Sequence, residues 1–183
     1  MRLAQAQNLA ERIVETMQPY CERVAIAGSI RRQKPEVKDI EIVAIPKLGD
    51  PKDLFGTEFE NLLYGWAGEM EREQRIQWIK PGTSEIIPWR IQEQGRYWRG
   101  WLVKAGIKLD LFLTTSETWG VTFLIRTGSA EFSQRIVGKE CWRTGYRFDD
   151  GKLFDPFGQV VSTPEEIDVF ATLGVEWIEP EAR

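Results

Sequence analysis

Residues 24–45 run Val24-Ala25-Ile26-Ala27-Gly28-Ser29-Ile30-Arg31-Arg32-Gln33-Lys34-Pro35-Glu36-Val37-Lys38-Asp39-Ile40-Glu41-Ile42-Val43-Ala44-Ile45. An apolar strand ends in a Gly-Ser turn, two arginines follow, and two carboxylates head a second apolar run. On a strand, residues two apart point to one face, so Asp39 and Glu41 present adjacent oxygens to one point. A small-residue turn with cations nearby suits a phosphate, and paired carboxylates suit magnesium. The stretch therefore predicts a metal-dependent site for a nucleoside triphosphate, built where two strands meet.

Taken singly, each part has a plainer explanation. Gly28-Ser29 makes an ordinary turn. Arg31, Arg32, Lys34 and Lys38 make a solvated loop. Asp39 and Glu41 make the polar face of an edge strand. Asp110 is harder to dismiss. In Ile107-Lys108-Leu109-Asp110-Leu111-Phe112-Leu113, Leu109, Leu111 and Leu113 share one face while Asp110 and Phe112 share the other. A buried, unpaired aspartate costs several kcal/mol, so Asp110 needs a partner. A metal shared with Asp39 and Glu41 would serve.

Composition narrows the chemistry. The 183 residues are 42% hydrophobic and 28% charged and contain no histidine. That excludes Ser-His-Asp and Cys-His catalysis, histidine general bases and His-ligated zinc. Cys21 and Cys141 are far apart and unpatterned, so free thiols in a reducing cytoplasm are the expectation. No apolar run approaches 18 residues and no leader is visible, so no membrane partner is expected. Net charge is −4, but residues 149–183 carry nine acids against two bases, −7, which leaves +3 on residues 1–148. Bases cluster at Arg31, Arg32, Lys34 and Lys38, at Arg90, Arg96, Arg99, Lys104 and Lys108, and at Arg135, Lys139, Arg143 and Arg147. Such patches on an acidic chain predict a weak, salt-sensitive grip on a phosphate backbone. Trp78, Trp89, Trp98, Trp101 and Tyr97 could stack bases, though core packing explains them more simply.

The periodicity predicts a helix over 3–17, stopped by Pro19, and strands near 23–27 and 40–45. A turn-rich stretch follows over 47–52, then a helix over 57–70 and strands at 75–79 and 89–91. Residues 97–103 and 107–114 read as a hairpin about Gly106. Ser116 is expected to cap a helix over 117–126 and Ser129 one over 130–142. Asp149-Asp150-Gly151 marks a second hairpin, and Thr163-Pro164-Glu165-Glu166 opens a last helix ending near Gly174. The expected class is α+β: a mixed-sheet palm over residues 1–115 and a small α+β thumb over 116–183.

The run Gly28-Ser29-x-Arg31-Arg32 followed by Asp39-x-Glu41 resembles the nucleotidyltransferase signature of family X (polymerase beta-like) DNA polymerases. Lys108-Leu109-Asp110-Leu111 resembles the strand that carries the third carboxylate of that family. Thr127-Gly128-Ser129-Ala130-Glu131-Phe132 resembles the Thr-Gly-Ser segment opening the helix under the incoming nucleotide. Glu165-Glu166-Ile167-Asp168-Val169-Phe170 through Pro180-Glu181-Ala182-Arg183 resembles its closing helix and Pro-Glu-x-Arg tail. The resemblance covers nearly the whole chain as a minimal palm and thumb, without the amino-terminal lyase and helix-hairpin-helix modules of many members. A phage, viral or bacterial origin is the matching expectation.

The resemblance implies phosphoryl transfer to a primer 3′-hydroxyl with two magnesium ions, for which manganese substitutes, held by Asp39, Glu41 and Asp110. It assigns Gly28, Ser29, Arg32 and Lys38 to the triphosphate, with Arg31 and Lys108 on primer DNA or, for Arg31, supporting the turn. Ile125, Arg126, Thr127, Gly128 and Ser133 fall on the nucleotide and sugar pocket. Five positions depart from the family pattern. Glu41 replaces aspartate, Ile125-Arg126 replaces an aromatic pair that guards against ribonucleotides, Ser133 stands at the position that offers an amide to the base, and Val137 stands at a template-strand arginine. The implied partners are a nucleoside triphosphate and primer–template or gapped DNA, bound weakly by a monomer that needs a recruiting protein. Two other readings stay open: transfer to RNA, protein or a small molecule, and a catalytically weak module that binds a nucleotide or a DNA end.

Overall fold

Leu3–Met17 forms helix α1, in which Ala6, Ala10, Ile13 and Met17 recur at helical spacing and are buried. A 3₁₀ turn over Gln18–Tyr20 carries Pro19 and delivers the chain into strand β1, Cys21–Ile26. The computed structural model describes residues 1–51, 59–92 and 95–183. After the one-turn helix α2 (Gly28–Arg31), strand β2 (Asp39–Pro46) returns antiparallel to β1. Strands β3 (Leu48–Pro51) and β4 (Phe59–Asn61) form a small ribbon before helix α3, Leu62–Arg72. Strand β5 (Ile76–Ile79), the short helix α4 (Trp89–Gln92), and strands β6 (Tyr97–Leu102) and β7 (Ile107–Leu113) complete the amino-terminal unit.

The main sheet has the order β1-β2-β7-β6-β5, with β2 and β7 parallel and the other pairs antiparallel. Its two faces divide by residue parity. Ile40, Ile42 and Ala44 of β2, with Leu109 and Leu111 of β7, pack against α1 and α3 in one core that also holds Trp78, Trp89 and Trp98. Trp89 meets Trp98 edge-on at 4.4 Å and Trp78 at 4.8 Å, so these rings pack the core and do not stack bases. On the other face, Val43, Ile45 and Phe112 meet Trp119 of helix α5, Trp119–Thr127. Asp39, Glu41 and Asp110 belong to this second face.

Helix α5 joins the sheet to a second core. Its Val121 and Leu124 pack with Phe132, Ile136, Cys141, Leu153, Val169, Phe170 and Leu173. Those residues come from α6 (Ala130–Gln134), a π-helical turn over Arg135–Glu140, α7 (Cys141–Thr144), β9 (Lys152–Phe154) and α8 (Glu166–Leu173), and β9 is the middle strand of a ribbon with β8 (Arg147–Asp149) and β10 (Val160–Val161). The architecture is α+β with a mixed sheet, as expected.

Several local expectations are corrected. Leu48–Pro51 pairs as a strand where a turn-rich stretch was expected, and Phe59–Asn61 is its partner and not a helix start. Asn61 caps α3 by accepting the Leu63 N–H at 3.0 Å; residues 57 and 58 of that expected helix, and residue 52 of the turn, lie outside the described residues. Trp89–Gln92 is helical, not extended, and Trp89 N–H donates to Glu71 at 2.8 Å. Thr115, not Ser116, caps the turn before α5. The last helix is capped by Glu165 and Asp168, because Thr163 spends its backbone on Gly120 and Glu117 across the fold, at 2.7 Å each. The helix expected over 130–142 is broken by the π turn. No helix among the described residues is long and apolar enough to cross a membrane.

Candidate active site

The Gly-Ser turn and β2 fit together with no space to spare. Gly28 has φ +61°, and a Cβ added there would lie 2.0 Å from Glu41 Oε2 and 2.8 Å from its Cδ. Only glycine serves, for both reasons. The extra methylene of Glu41 lets its carboxyl lie back across the turn. Burial first, then the charges of Asp39 and Asp110, push the Glu41 carboxyl up to about 7, while Arg32 and Arg126 pull it back.

Strand register places the three carboxylates side by side. Glu41 stands opposite Asp110 and Asp39 opposite Lys108 on the parallel pair β2–β7, and Asp110 stands opposite Arg99 on β6–β7. Asp110 is 4% exposed. Its partner is a guanidinium: Arg99 Nε donates to Oδ1 at 2.7 Å, Arg99 Nη2 to Oδ2 at 2.9 Å, and the Tyr97 hydroxyl to Oδ1 at 2.9 Å. This hydrogen-bonded pairing raises the Arg99 pKa further, and burial together with Asp110 raises that of Tyr97. Arg99 and Tyr97 thus give the buried Asp110 protein partners. Sequence reading missed Arg99 and Tyr97, although the hairpin about Gly106 carries the signal: pairing Leu102 with Ile107 places Arg99 opposite Asp110.

Two arginines tie the turn to the Thr-Gly-Ser segment. Arg32 Nη1 donates to the Thr127 carbonyl, and a Cβ on Gly128 would meet that nitrogen at 2.7 Å. Arg31 Nη1 donates to Thr127 Oγ1 at 2.6 Å and its Nη2 to Glu166 at 2.7 Å, with its plane 3.9 Å over Phe123. Arg31 is therefore committed to holding the turn against α5 and α8, and the alternative of primer contact is not supported. Two buried polar atoms at the turn, Ser29 Oγ and Arg32 Nε, have no hydrogen-bond partner among the described residues. Lys38 and Lys108 are exposed, Lys108 on the carboxylate face.

The expected nucleotide pocket is only partly assembled. Thr127 is fully buried. Arg126 is exposed, its guanidinium 3.9 Å over Phe112, which stacks on Tyr97 at 4.9 Å. This stack lines a cavity of about 390 Å³ with Arg96, Thr118 and Thr122. Ile125 packs against the carboxy-terminal core. Ser133 is buried and donates its hydroxyl to the Ile125 carbonyl at 2.9 Å, so it does not face a base as expected. Cys21 and Cys141 are buried and unpaired, and burial pushes both thiols up to about 11.

The carboxylate face has the donor chemistry for a divalent ion. Asp39, Glu41 and Asp110 supply hard oxygens at adjacent register positions, and the mutual repulsion that lifts Glu41 is what a cation would relieve. As they stand, no three such side chains among the described residues are gathered around one point. Asp110 leans to Arg99, and Glu41 leans to Gly28.

Residues 122–183 match the family described as DNA polymerase beta thumb. The whole fold is similar to Leishmania infantum polymerase beta, solved as a ternary P/T complex, with TM-score 0.72 and 18% identity. The alignment spans 100% of this chain and 76% of that one. No curated protein matches in sequence. The chain is polymerase beta-like in fold throughout, and in sequence over its carboxy-terminal third.

Proposed function

We propose that this chain, with a polymerase beta-like fold and a polymerase beta thumb, is a metal-dependent nucleotidyltransferase that extends a DNA primer from a nucleoside triphosphate. The observation that carries the reading is the row of Asp39, Glu41 and Asp110 on one sheet face, beside a Gly-Ser turn with two unsatisfied buried polar atoms. In the reaction, the primer 3′-hydroxyl loses its proton, its oxygen bonds to the α-phosphorus, and the bond to pyrophosphate breaks.

Magnesium ions at Asp39, Glu41 and Asp110, replaceable by manganese, would neutralise charge and lower the pKa of the attacking hydroxyl. The remaining work falls to the chain. Ser29 Oγ and Arg32 Nε, buried and without partners among the described residues, are the donors assigned to the triphosphate, with Lys38 at the mouth. Lys108, exposed beside the carboxylates, screens a primer phosphate. Arg31 keeps the turn in place through Thr127 and Glu166. The acidic balance of −7 over residues 149–183 supports weak intrinsic DNA affinity and a recruiting protein; nanomolar binding to plain duplex at physiological salt would count against it.

A second reading, a different acceptor such as RNA, protein or a small molecule, is favoured by one observation. Ser133 is bound to the Ile125 carbonyl, which leaves no side-chain donor at that position for a templated base. Primer extension separates the readings, on a one-nucleotide gap and on an open template, with each dNTP and NTP and with magnesium or manganese. Asp39→Ala is the control, since removing Asp110 would also strand Arg99. Templated addition that falls by about 10³-fold or more in the control supports the polymerase reading. Triphosphate binding with no addition to any nucleic-acid end transfers the assignment to the other acceptors.

A further inference from the structure

Glu41, Asp110 and Arg99 form a row across β2, β7 and β6, on the face that carries Asp39. Its two ends differ in charge balance. At the β2 end, Asp39 and Asp110 crowd Glu41. At the β6 end, Asp110 is already neutralised by Arg99 in a forked pairing. A carboxylate offers about four lone pairs. Arg99 Nε and the Tyr97 hydroxyl take both on Oδ1, and Arg99 Nη2 takes one on Oδ2. One remains, and an ion reaching it would sit against the guanidinium.

We propose that Arg99 is a built-in competitor for a divalent ion at Asp110. In the free protein a cation binds at Asp39 and Glu41, and Asp110 becomes a ligand when the guanidinium moves onto a phosphate of the acceptor strand. This rests on the nucleotidyltransferase reading and specifies how its site is loaded. The chemistry allows the exchange, because the planar guanidinium fork fits phosphate as it fits carboxylate. The Arg99 side chain is 24% exposed, so its head group reaches the face where nucleic acid would lie. Lys108, exposed on the same face opposite Asp39, draws a phosphate to that place. Arg99 thereby couples the second ion to the arrival of the acceptor and acts as a positioning residue for Asp110.

The test is manganese binding followed by electron paramagnetic resonance, with thermal melting in parallel, on the wild type, Arg99→Met, Arg99→Lys and Tyr97→Phe. Without nucleic acid, the wild type is expected to bind one ion that Asp39→Ala abolishes. Arg99→Met is expected to take a second ion, or to bind at least about tenfold tighter. It should also melt lower than wild type in chelator and recover on adding manganese. Arg99→Lys, which keeps the charge without the fork, falls between, and Tyr97→Phe, which removes one hydrogen bond, shifts less. Primer–template with a dideoxy end should give the wild type its second ion. Equal stoichiometry and affinity in wild type and folded Arg99→Met overturns the competitor role. Should Arg99→Met not fold, the same equality between wild type and both Arg99→Lys and Tyr97→Phe overturns it. Manganese binding that ignores Asp39 in every variant overturns instead the site reading on which the proposal rests.

Discussion

Glu41 is a residue whose chemistry departs far from its ordinary range. Its carboxyl is pushed up from 4.5 to about 7 by burial and by two carboxylate neighbours. A raised carboxyl pKa means that the ionised form weakens the fold. The penalty is absent below about pH 4.5, grows as pH rises to about 7, and is constant above. Glu41→Gln should therefore stabilise the metal-free protein above pH 7 by an amount on the order of 3 kcal/mol at most, and should gain nothing at pH 4.5. Urea denaturation in chelator at both pH values measures this. An increment equal at the two would assign the effect to packing and not to charge. Asp39, Glu41 and Asp110 were legible because parity along a strand is a short-range rule. Arg99 was not, because its meaning depends on cross-strand register, and register is fixed by a turn several residues away. Arg31 was legible as a cation but not as a brace, since Thr127 and Glu166 lie 96 and 135 positions along the chain.

At the scale of elements, the long periodic segments declared themselves, and α1 spans the residues its spacing predicts. Cap positions were the weak point wherever several capping residues stand together. Thr163 looked like the start of α8, yet the close packing of Gly120, where a Cβ would lie 2.1 Å from the Glu165 carbonyl, draws the Thr163 backbone across to α5. Tertiary contact then decided among candidates that propensity ranks alike. The same helix carries the main electrostatic tie of the carboxy-terminal unit. Glu166 is 5% exposed and receives both Arg31 at 2.7 Å and Arg183 at 2.5 Å. Arg183, its side chain fully buried, also lies near the rings of Phe132, Phe170 and Trp177. Removing one charge from such a cluster leaves buried cations without their counter-ion, which costs about 3–5 kcal/mol. Glu166→Gln is expected to lower the melting temperature on the order of 10 °C. A loss no larger than that of Glu165→Gln, whose side chain is 55% exposed in its pair with Arg23, would show that the buried cluster contributes little.

For the molecule as a whole, charge distribution bears on how nucleic acid would be held. Residues 149–183 carry −7 and residues 1–148 carry +3, so attraction must come from the sheet face and its surroundings. There the exposed cations Lys38, Lys108 and Arg126 stand near the carboxylate row. Three phosphate contacts imply a slope of log affinity against log salt near −3, or roughly a 40-fold loss between 50 and 200 mM salt. Lys108→Ala should reduce the magnitude of that slope by about one and weaken all sequences alike, because a phosphate contact carries no base information. Fluorescence anisotropy of a labelled gapped duplex across a salt series reads both quantities. The sign of this balance was legible in the clustering of the bases, but the number of contacts was not. Arg31, Arg32 and Arg99 belong to the same clusters, and the fold spends them on Thr127, Glu166 and Asp110. A slope steeper than about −6, near the lower limit for proteins with many phosphate contacts, would mean that these arginines leave their internal partners when nucleic acid binds. For Arg99 alone, that departure is the step that loads Asp110, and it would add about one to the slope that Arg99→Met retains.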